Sequence, residues 1–314
     1  MFAAGRHIRR AKKEKGEKKV SDTKTNTPKR RWGDRKDGRL VRELDGAHFI
    51  MPLIFPNRAD NEAFISETLD LTNLNKYLEK KNADNPEYKY NLFQVLITAI
   101  LKTLTLRPQM NRFIVNGNTY HRNYISASFI VKKQFSDHGE EALAFIRAKD
   151  EDNINTVHQY IYEKVTDCRS EKGDPSSDAM NLFNHMPRWL GKSIVKFMCF
   201  LDKYGKVPQS LIDSDPYYSS VILTNLGSIK LHSGYHHLSN WGTASIFVIV
   251  GEKKLRPFRQ EDGTVEMRDS VDIGLTVDER IGDGYYFSKT IRLLTKLMEN
   301  PELLEDSLDT PVEY

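Results

Sequence analysis

Residues 275–284 read Leu-Thr-Val-Asp-Glu-Arg-Ile-Gly-Asp-Gly. The stretch begins as an apolar strand, passes through charged residues, and ends in an Asp-Gly pair typical of a turn. A helical pattern starts near Tyr285 and stops at Pro301, with two leucines just beyond the proline. Because proline cannot continue a helix, the segment predicts a strand, a charged turn and then the last helix of a domain.

A second segment lies about fifty residues earlier in the chain. Residues 222–228 read Ile-Leu-Thr-Asn-Leu-Gly-Ser, which is an apolar strand that ends in Thr-Asn-x-Gly. Each segment alone is ordinary strand and turn chemistry. Their order along the chain and the distance between them are more specific than either segment alone.

Together the two segments resemble the signature of the dihydrolipoamide acyltransferase catalytic domain, in the chloramphenicol acetyltransferase-like superfamily. In that family one strand ends in Ser-Asn-x-Gly, and a later strand ends in Asp-His-Arg-x-x-Asp-Gly before the last helix. Residues 55–72 and 112–131 also look like the start and the middle of chloramphenicol acetyltransferase. The resemblance therefore covers residues 48–306. It implies an α/β fold, a two-layer sandwich whose mixed sheet carries helices on one face.

The resemblance also implies roles for single residues. Glu279 stands where the family keeps its catalytic histidine, and Asp283 and Gly284 match the Asp-Gly of that motif. Thr224 matches the serine whose hydroxyl serves the oxyanion, and Asn225 matches the asparagine after it.

Arg58 is expected to supply the arginine that pairs with Asp283 in the family's loop. Acyl transfer needs a base, an oxyanion donor and a geometry that holds both at the thioester. Glutamate has an ordinary pKa of about 4.3 and histidine of about 6.5, so Glu279 would be the weaker base unless burial raised its pKa. A salt bridge to Arg280 or Arg58 would instead keep Glu279 ionised in a structural role.

The resemblance implies two alternative functions. The first is transfer of an acyl group from an acyl-coenzyme A thioester to an unidentified small-molecule acceptor. The alternative is a catalytically inactive relative that acts as a ligand-binding or trimeric scaffold protein. A homotrimer is implied in either case, with Glu279 and Asp283 facing Thr224 of a neighbouring subunit. No bound cofactor is expected, and coenzyme A would be a co-substrate.

Two histidines lie on the connection between the predicted strands. His236 and His237 follow Ser-Gly-Tyr, and in the family this connection lies near the subunit interface. One of them is a second candidate for the base, although surface loop histidines are the simpler interpretation. No metal site is expected at His232, His236 and His237, because no acidic or cysteine ligand stands beside them.

Charge is distributed unevenly along the 314 residues, whose formal net charge is +4. Lys and Arg crowd the first forty residues, and such a segment cannot bury a core. We therefore divide the chain into a basic, disordered tail over 1–44, an acyltransferase-like domain over 45–308, and a C-terminal tail over 309–314. The basic tail suits nucleic acid, anionic lipid or an acidic partner.

Composition indicates a soluble class of protein and a reducing compartment. There are two cysteines, too few for a disulfide framework. Apolar runs fall short of the roughly 20 residues of a membrane span. No apolar segment follows the first charged residues, so no signal peptide is expected and the location predicted is cytoplasmic.

Hydrophobic periodicity predicts the remaining elements. Residues 187–201 have apolar side chains at helical spacing with lysines on the other side, which favours core or interface packing or, alternatively, a membrane-surface helix. An Asn-Gly pair at 116–117 predicts a hairpin. Strands are predicted over 49–56, 64–71, 124–131, 219–223, 244–250, 265–267 and 271–277, and helices over 72–78, 92–106, 140–149, 154–165 and 285–300, with a loop over 171–178.

Overall fold

The computed structural model describes residues 30–132, 141–169 and 186–314. Gly33–Tyr314 forms one compact unit, and Met1–Trp32 is assigned to a separate one. The strands and helices of the described residues belong to the larger unit. The loop predicted over 171–178 lies outside the described residues.

The described part of Gly33–Tyr314 contains nine strands and seven helices. The strands are β1 Gly38–Leu40, β2 Glu62–Asp70, β3 Arg112–Val115, β4 Asn118–Arg122, β5 Ile125–Lys132, β6 Glu141–Ala148, β7 Val221–Asn225, β8 Ile246–Arg259 and β9 Val265–Asp278. The helices are α1 Gly46–Ile54, α2 Thr72–Lys81, α3 Leu92–Leu106, α4 Ile154–Arg169, α5 Arg188–Lys203, α6 Gln209–Ser214 and α7 Gly284–Glu299.

A six-stranded mixed sheet in the order β2-β9-β8-β7-β5-β6 forms the centre of the unit. β7 runs parallel to both β5 and β8, and the remaining pairs are antiparallel. β8 and β9 form one long hairpin that turns at Asp262-Gly263, where Gly263 has φ +85°. The two strands predicted over 265–267 and 271–277 are therefore parts of the single strand β9.

Helices cover one face of this sheet. Alternate residues such as Leu223, Val248 and Leu275 point into one large apolar core, which α2, α3, α4 and α7 complete from the other side. α3 contributes most because it is buried nearly all round, as its sequence predicts, and Asn91 and Gln94 form a capping box at its start. The α/β sandwich with helices on one face is thus confirmed.

The opposite face of the sheet carries a smaller cluster. Ile222, Phe247 and Ile249 alternate with the core residues and pack with Leu238 and Ala244 from the connection between β7 and β8. No described α-helix covers this cluster, and the connection lies over it instead. A separate three-stranded sheet has the order β1-β4-β3. Its Asn116-Gly117 hairpin is confirmed, with both residues at positive φ.

The folded unit begins earlier than the boundary predicted at residue 45. β1 pairs with β4, and the buried Arg35 forms ion pairs with Asp37 and Asp202 at 2.8 and 2.9 Å. The basic composition of this part does not indicate this attachment, although one of its cations, Arg35, is buried against two acids. At the other end, the backbone N–H of Asp309 donates to the carbonyl oxygen of Asp150, and Val312 packs against the core. The predicted C-terminal tail is therefore bound to the folded unit at least as far as Val312.

Two predicted elements are wrong. Residues 49–56 belong mostly to helix α1, which Asp45 caps by accepting a hydrogen bond from the His48 N–H, and Pro52 lies inside it. Residues 141–148 form strand β6 rather than a helix. β6 is an edge strand of the sheet and pairs with β5 along its whole length, so this pairing satisfies the backbone groups that face β5.

Candidate active site

Strand β9 ends in a buried group of charges. Asp278 is fully buried and accepts two hydrogen bonds from Arg280, from Nε at 2.7 Å and from Nη2 at 2.6 Å. Arg280 also donates to the carbonyl oxygens of Phe55 and Pro56, and so ties the end of β9 to the segment after α1. This bidentate pair with further hydrogen bonds is a geometry in which a buried ion pair is fully compensated.

Arg58 belongs to the same group. Its Nε lies 3.8 Å from Oδ2 of Asp278, and its terminal nitrogens donate to the carbonyl oxygens of Ser239, Ile114 and Gly242. Burial lowers the pKa of Arg58 to about 10, although Asp278 opposes this effect. Arg58 therefore stays charged at neutral pH and joins three segments around the turn after β9.

The predicted pairing of Arg58 with Asp283 is wrong. Asp283 is exposed and caps helix α7 by accepting a hydrogen bond from the Tyr286 N–H at 2.7 Å. Arg58 pairs with Asp278 instead, because Asp278 is the buried carboxylate that needs a cation. The sequence does not show which of the two carboxylates is buried, and the structure shows that it is Asp278.

Glu279 is exposed at the first position after β9. Its backbone N–H donates to the carbonyl oxygen of Asn61 at 2.9 Å, which fixes the direction of the chain at this point. The two arginines that were expected to bind it are taken by Asp278. The Glu279 side chain therefore takes no part in the buried group of Asp278, Arg280 and Arg58, and it is exposed within a single subunit. Gly284, the motif's last residue, is also exposed, and a Cβ added there would meet nothing within 4 Å.

Thr224 lies near the end of β7, two strands away from β9 in the sheet. It pairs with Ile249 on β8, which in turn pairs with Gly274 on β9. Glu279 follows Gly274 by five residues, so at 3.3–3.4 Å per residue the two candidate residues are about 17 Å apart along the sheet. One subunit therefore does not bring Glu279 and Thr224 together.

The turn after Thr224 is packed tightly against β8. Asn225 Oδ1 accepts a hydrogen bond from the Ser228 N–H, and the Ser228 hydroxyl donates to the Asn225 carbonyl oxygen at 2.7 Å. A Cβ at Gly227 would lie 2.4 Å from the Gly251 carbonyl oxygen. The Thr-Asn-x-Gly pattern thus has a physical basis: Asn225 closes the turn, and glycine is required at 227 because backbone approaches it closely.

Thr224 lies on the wall of a groove of about 1280 Å³. The groove runs between the sheet, the start of α3 and the end of α4. Its volume exceeds the 300–1,000 Å³ that is common for small-molecule pockets, so it suits an extended ligand. The rings that line it are those of Tyr88, Tyr90, Phe93, Phe129, Tyr235, His236 and Phe247. A second groove of about 760 Å³ runs between β2 and α7 and begins at Gly284.

His236 lines the same groove as Thr224. Its ring stacks on Phe247 with 4.2 Å between centroids, and its Nδ1 lies 2.8 Å from the His237 carbonyl oxygen. A carbonyl oxygen only accepts, so Nδ1 carries the proton in the neutral ring and Nε2 is left as an acceptor. His237 is exposed and stacks on His236 without lining the groove. The structure thus places one of the two histidines, and not the other, in the groove that Thr224 also lines.

Within the described residues, no group of His, Cys, Asp or Glu side chains is arranged to hold a metal ion. In the same part of the chain, no helix is both long and apolar enough to cross a bilayer. The two cysteines, Cys168 and Cys199, form no disulfide.

The similarity of this chain to known proteins lies in its structure. No protein-family profile matches its sequence, and no match was found among curated proteins. Solved structures match over nearly the whole chain. Dihydrolipoamide acetyltransferase of Azotobacter vinelandii has a TM-score of 0.56 at 14% identity and covers 85% of this chain and 99% of its own.

Two further structures have the same architecture. The cubic core of the pyruvate dehydrogenase multienzyme complex has a TM-score of 0.56 at 14% identity and covers 84% of this chain and 93% of its own. A chloramphenicol acetyltransferase has a TM-score of 0.52 at 14% identity, with 84% and 98% covered. The chain therefore has the acyltransferase-type fold that dihydrolipoamide acetyltransferase cores share with chloramphenicol acetyltransferase, as the motifs of its sequence predict.

Proposed function

We propose that this protein transfers an acyl group from an acyl-coenzyme A thioester to a small-molecule acceptor. The observation that carries the proposal is the position of Thr224, a hydroxyl on the wall of the large groove at the end of a central strand. The groove has room for an extended thioester carrier and one acceptor together. The fold is one on which acyltransferases are built, which supports acyl transfer but does not by itself assign the reaction.

The proposed active form is a homotrimer with the site between subunits. Two observations support it. Thr224 and Glu279 are about 17 Å apart along the sheet, too far to act on one reacting atom within a subunit. The apolar side chains of α1, which precede and pack beside the Glu279 turn, are left uncovered: Phe49, Ile50, Leu53 and Ile54 are each at least 50% exposed. A second subunit that covered α1 would bring its own groove to Glu279.

Each step of the proposed reaction has a residue. A base takes the proton from the acceptor hydroxyl, amine or thiol, and the freed electron pair attacks the thioester carbonyl carbon. The tetrahedral oxyanion accepts a hydrogen bond from the Thr224 hydroxyl. Collapse of this intermediate expels the thiolate of coenzyme A, which takes the proton back from the base.

Glu279 is the first candidate for the base. The Azotobacter enzyme was investigated for the catalytic roles of a serine, a histidine about fifty residues later, and an asparagine four positions after the histidine. Thr224, Glu279 and Asp283 have nearly the same order and spacing in this chain. Burial by a neighbouring subunit would remove water from around Glu279, which favours proton transfer to the carboxylate.

His236 is the second candidate. It already lies in the groove of Thr224 within one subunit, and its Nε2 is the acceptor nitrogen of the neutral ring. Histidine is the side chain that most often serves as a general base. Phe247 and the His237 carbonyl oxygen hold the ring in a fixed orientation.

The test is release of coenzyme A from acetyl-coenzyme A and from longer acyl-coenzymes A, detected with a thiol reagent. A panel of hydroxyl, amine and thiol acceptors should be supplied. We expect the wild type to release coenzyme A. The variant that removes the base, either Glu279→Gln or His236→Gln, should release it roughly 10²–10⁴-fold more slowly. His237→Gln is the matched control, because His237 does not line the groove. No release with any acceptor would contradict the reaction.

The second candidate function is a non-catalytic thioester-binding or scaffold protein. The exposure of Glu279, together with its replacement of the family's histidine, favours it. Calorimetric titration with a non-hydrolysable acyl-coenzyme A analogue separates the two functions. Binding without turnover in any variant supports the scaffold, whereas turnover that depends on Glu279 or His236 supports the enzyme.

A further inference from the structure

Helix α5 exposes a stripe of aromatic side chains. Trp189, Phe197, Phe200 and the capping residue Tyr204 are between 54% and 69% exposed. Their spacings of eight, three and four residues are close to multiples of the helical repeat, so the four rings share one side of the helix. Scattered single apolar residues are normal on a protein surface, but four exposed rings on one side of a helix mark an interaction surface.

A stripe of cations borders these rings. Lys192, Lys196 and Lys203 are exposed and recur at intervals of four and seven residues. Lys196 stands two turns after Trp189, which places the cation at the edge of the aromatic stripe. The helix contains one acidic residue, Asp202, and that carboxylate is buried, where Arg35 Nη2 and the Tyr218 hydroxyl donate to it at 2.9 Å. The outward surface of α5 therefore carries aromatic rings, and its exposed charged residues are all cations.

The opposite side of α5 packs against the rest of the folded unit. Leu190, Ile194, Met198 and Leu201 are partly buried at helical spacing. Leu201 packs on the small cluster of Val207, Ile212 and Tyr218. Together with the Arg35–Asp202 pair, this contact fixes the rotation of the helix about its axis. The aromatic stripe faces outward because the opposite side is anchored.

We propose that α5 docks this protein on an anionic lipid bilayer. Aromatic rings with an apolar body suit the headgroup boundary of a membrane, and lysines beside them reach the phosphates and carboxylates of anionic lipids. A helix of 16 residues lies along the surface and is too short to span it. This inference goes beyond the proposed reaction and does not depend on it.

The first residues of the chain supply a second attraction. Residues 1–31 contain twelve Lys and Arg against three Asp and Glu. Stable membrane attachment usually takes two signals, such as an apolar group together with a polybasic segment. A twofold contact between copies of this chain fits the stripe less well, because two α5 surfaces facing each other would bring two rows of lysines together.

The test is co-sedimentation of the full chain with vesicles of phosphatidylcholine and phosphatidylserine. The aromatic variant carries Trp189→Ser, Phe197→Ser and Phe200→Ser, and we expect its partition to fall at least tenfold. Its matched control carries Leu255→Ser, Val265→Ser and Met267→Ser, three side chains of the β8–β9 hairpin that are equally exposed. We expect the control to bind like the wild type.

The charge variant carries Lys192→Gln and Lys196→Gln. A lysine near an anionic surface contributes about a fivefold factor, so the pair should weaken partition roughly twentyfold at low salt. The matched control is Lys76→Gln with Lys80→Gln, two exposed lysines of α2. Vesicles of phosphatidylcholine alone should bind the wild type weakly and should not distinguish the two charge variants.

Fluorescence of Trp189 reports contact with the membrane while the surface lysines and the other aromatic residues of α5 are unchanged. In a chain that carries Trp32→Phe, we expect a blue shift of the emission on the anionic vesicles, and no such shift when Trp189→Phe is added. Wild-type binding by the aromatic variant would assign membrane attachment to residues 1–31 and overturn the proposal. A smaller oligomer of the aromatic variant in sedimentation velocity would assign the stripe to contacts between copies, and would overturn it as well.

Discussion

The carboxylate of Asp278 and the guanidinium of Arg280 are joined by two hydrogen bonds of 2.7 and 2.6 Å, and both side chains are at most 1% exposed. Arg58 Nε stands 3.8 Å from the same carboxylate. One buried anion therefore compensates two buried cations directly before Glu279. The direction of the chain at the candidate base depends on this group.

Asp278→Asn should destabilise the protein by about 3–5 kcal/mol, because it leaves Arg280 and Arg58 buried without their anion. The free energy of unfolding in urea measures the effect. Asp283→Asn is the control: Asn caps helices as well as Asp does, so a change below about 0.5 kcal/mol is expected. A larger loss in Asp283→Asn than in Asp278→Asn would restore the pairing of Arg58 with Asp283.

Two glycines of the motifs should respond differently to alanine. Gly227→Ala should cost about 1–3 kcal/mol, since its Cβ would lie 2.4 Å from the Gly251 carbonyl oxygen and the turn beside Thr224 would have to move. Gly284→Ala should be neutral or stabilise by up to about 1 kcal/mol, because the position is open and starts a helix. Thermal unfolding of both variants decides the matter, and equal losses would contradict the close approach at Gly227.

Acid should weaken the attachment of the C-terminal segment. Partial burial acts to raise the pKa of Glu305, but hydrogen bonds from Lys81 and Tyr77 outweigh it and hold the pKa below its usual range. A depressed pKa in the folded state stabilises the protein above the unfolded value, about 4.3, and this stabilisation is lost as the pH falls through the folded value.

The stability of Glu305→Gln should accordingly fall less than that of the wild type between pH 6 and pH 3. Urea midpoints at several pH values measure this. Glu302→Gln, an exposed neighbour, should keep the full pH dependence of the wild type. Parallel curves for wild type and Glu305→Gln would show that Lys81 and Tyr77 do not perturb the carboxylate.

Sequence patterns predicted those elements whose local signals agree with their packing. α3 has a capping box and an apolar surface all round, and the Asn116-Gly117 hairpin has the turn residues that its geometry requires. The prediction of a helix over 140–149, where the structure has β6, was wrong for a physical reason. Ala142, Ala144 and Ile146 are buried while Leu143 and Phe145 are only partly so, and since both sets are apolar the two-residue period is invisible in the sequence.

The candidate site was predictable in parts. Thr224, Asn225 and Asp283 lie at the strand and helix ends that their motifs indicate. The partner of Arg58 was not predictable, because choosing between two carboxylates five residues apart requires knowing which is buried. The groove residue Phe247 carried no signal either: it is one apolar residue in a strand of apolar residues, and only the stacking of His236 distinguishes it.

Mixing of inactive subunits would locate the proposed site. Thr224→Val and Glu279→Gln should each be inactive as homotrimers if the site joins Thr224 of one subunit to Glu279 of the next. When the two variants are unfolded and refolded together in equal amounts, about one interface in four pairs a wild-type Thr224 with a wild-type Glu279. Roughly a quarter of the wild-type activity should therefore return.

Recovery with Thr224→Val and Glu279→Gln assigns the base to Glu279 of the neighbouring subunit, and His236→Gln should then be active by itself. If His236 is the base instead, Thr224→Val and His236→Gln should each be inactive and should restore nothing when refolded together, because both residues line one subunit's groove. If Glu279→Gln alone retains activity and His236→Gln abolishes it, the base lies beside Thr224 in the same chain. Glu279 would then take no part in the proton transfer, because His236 would perform it from the connection between β7 and β8.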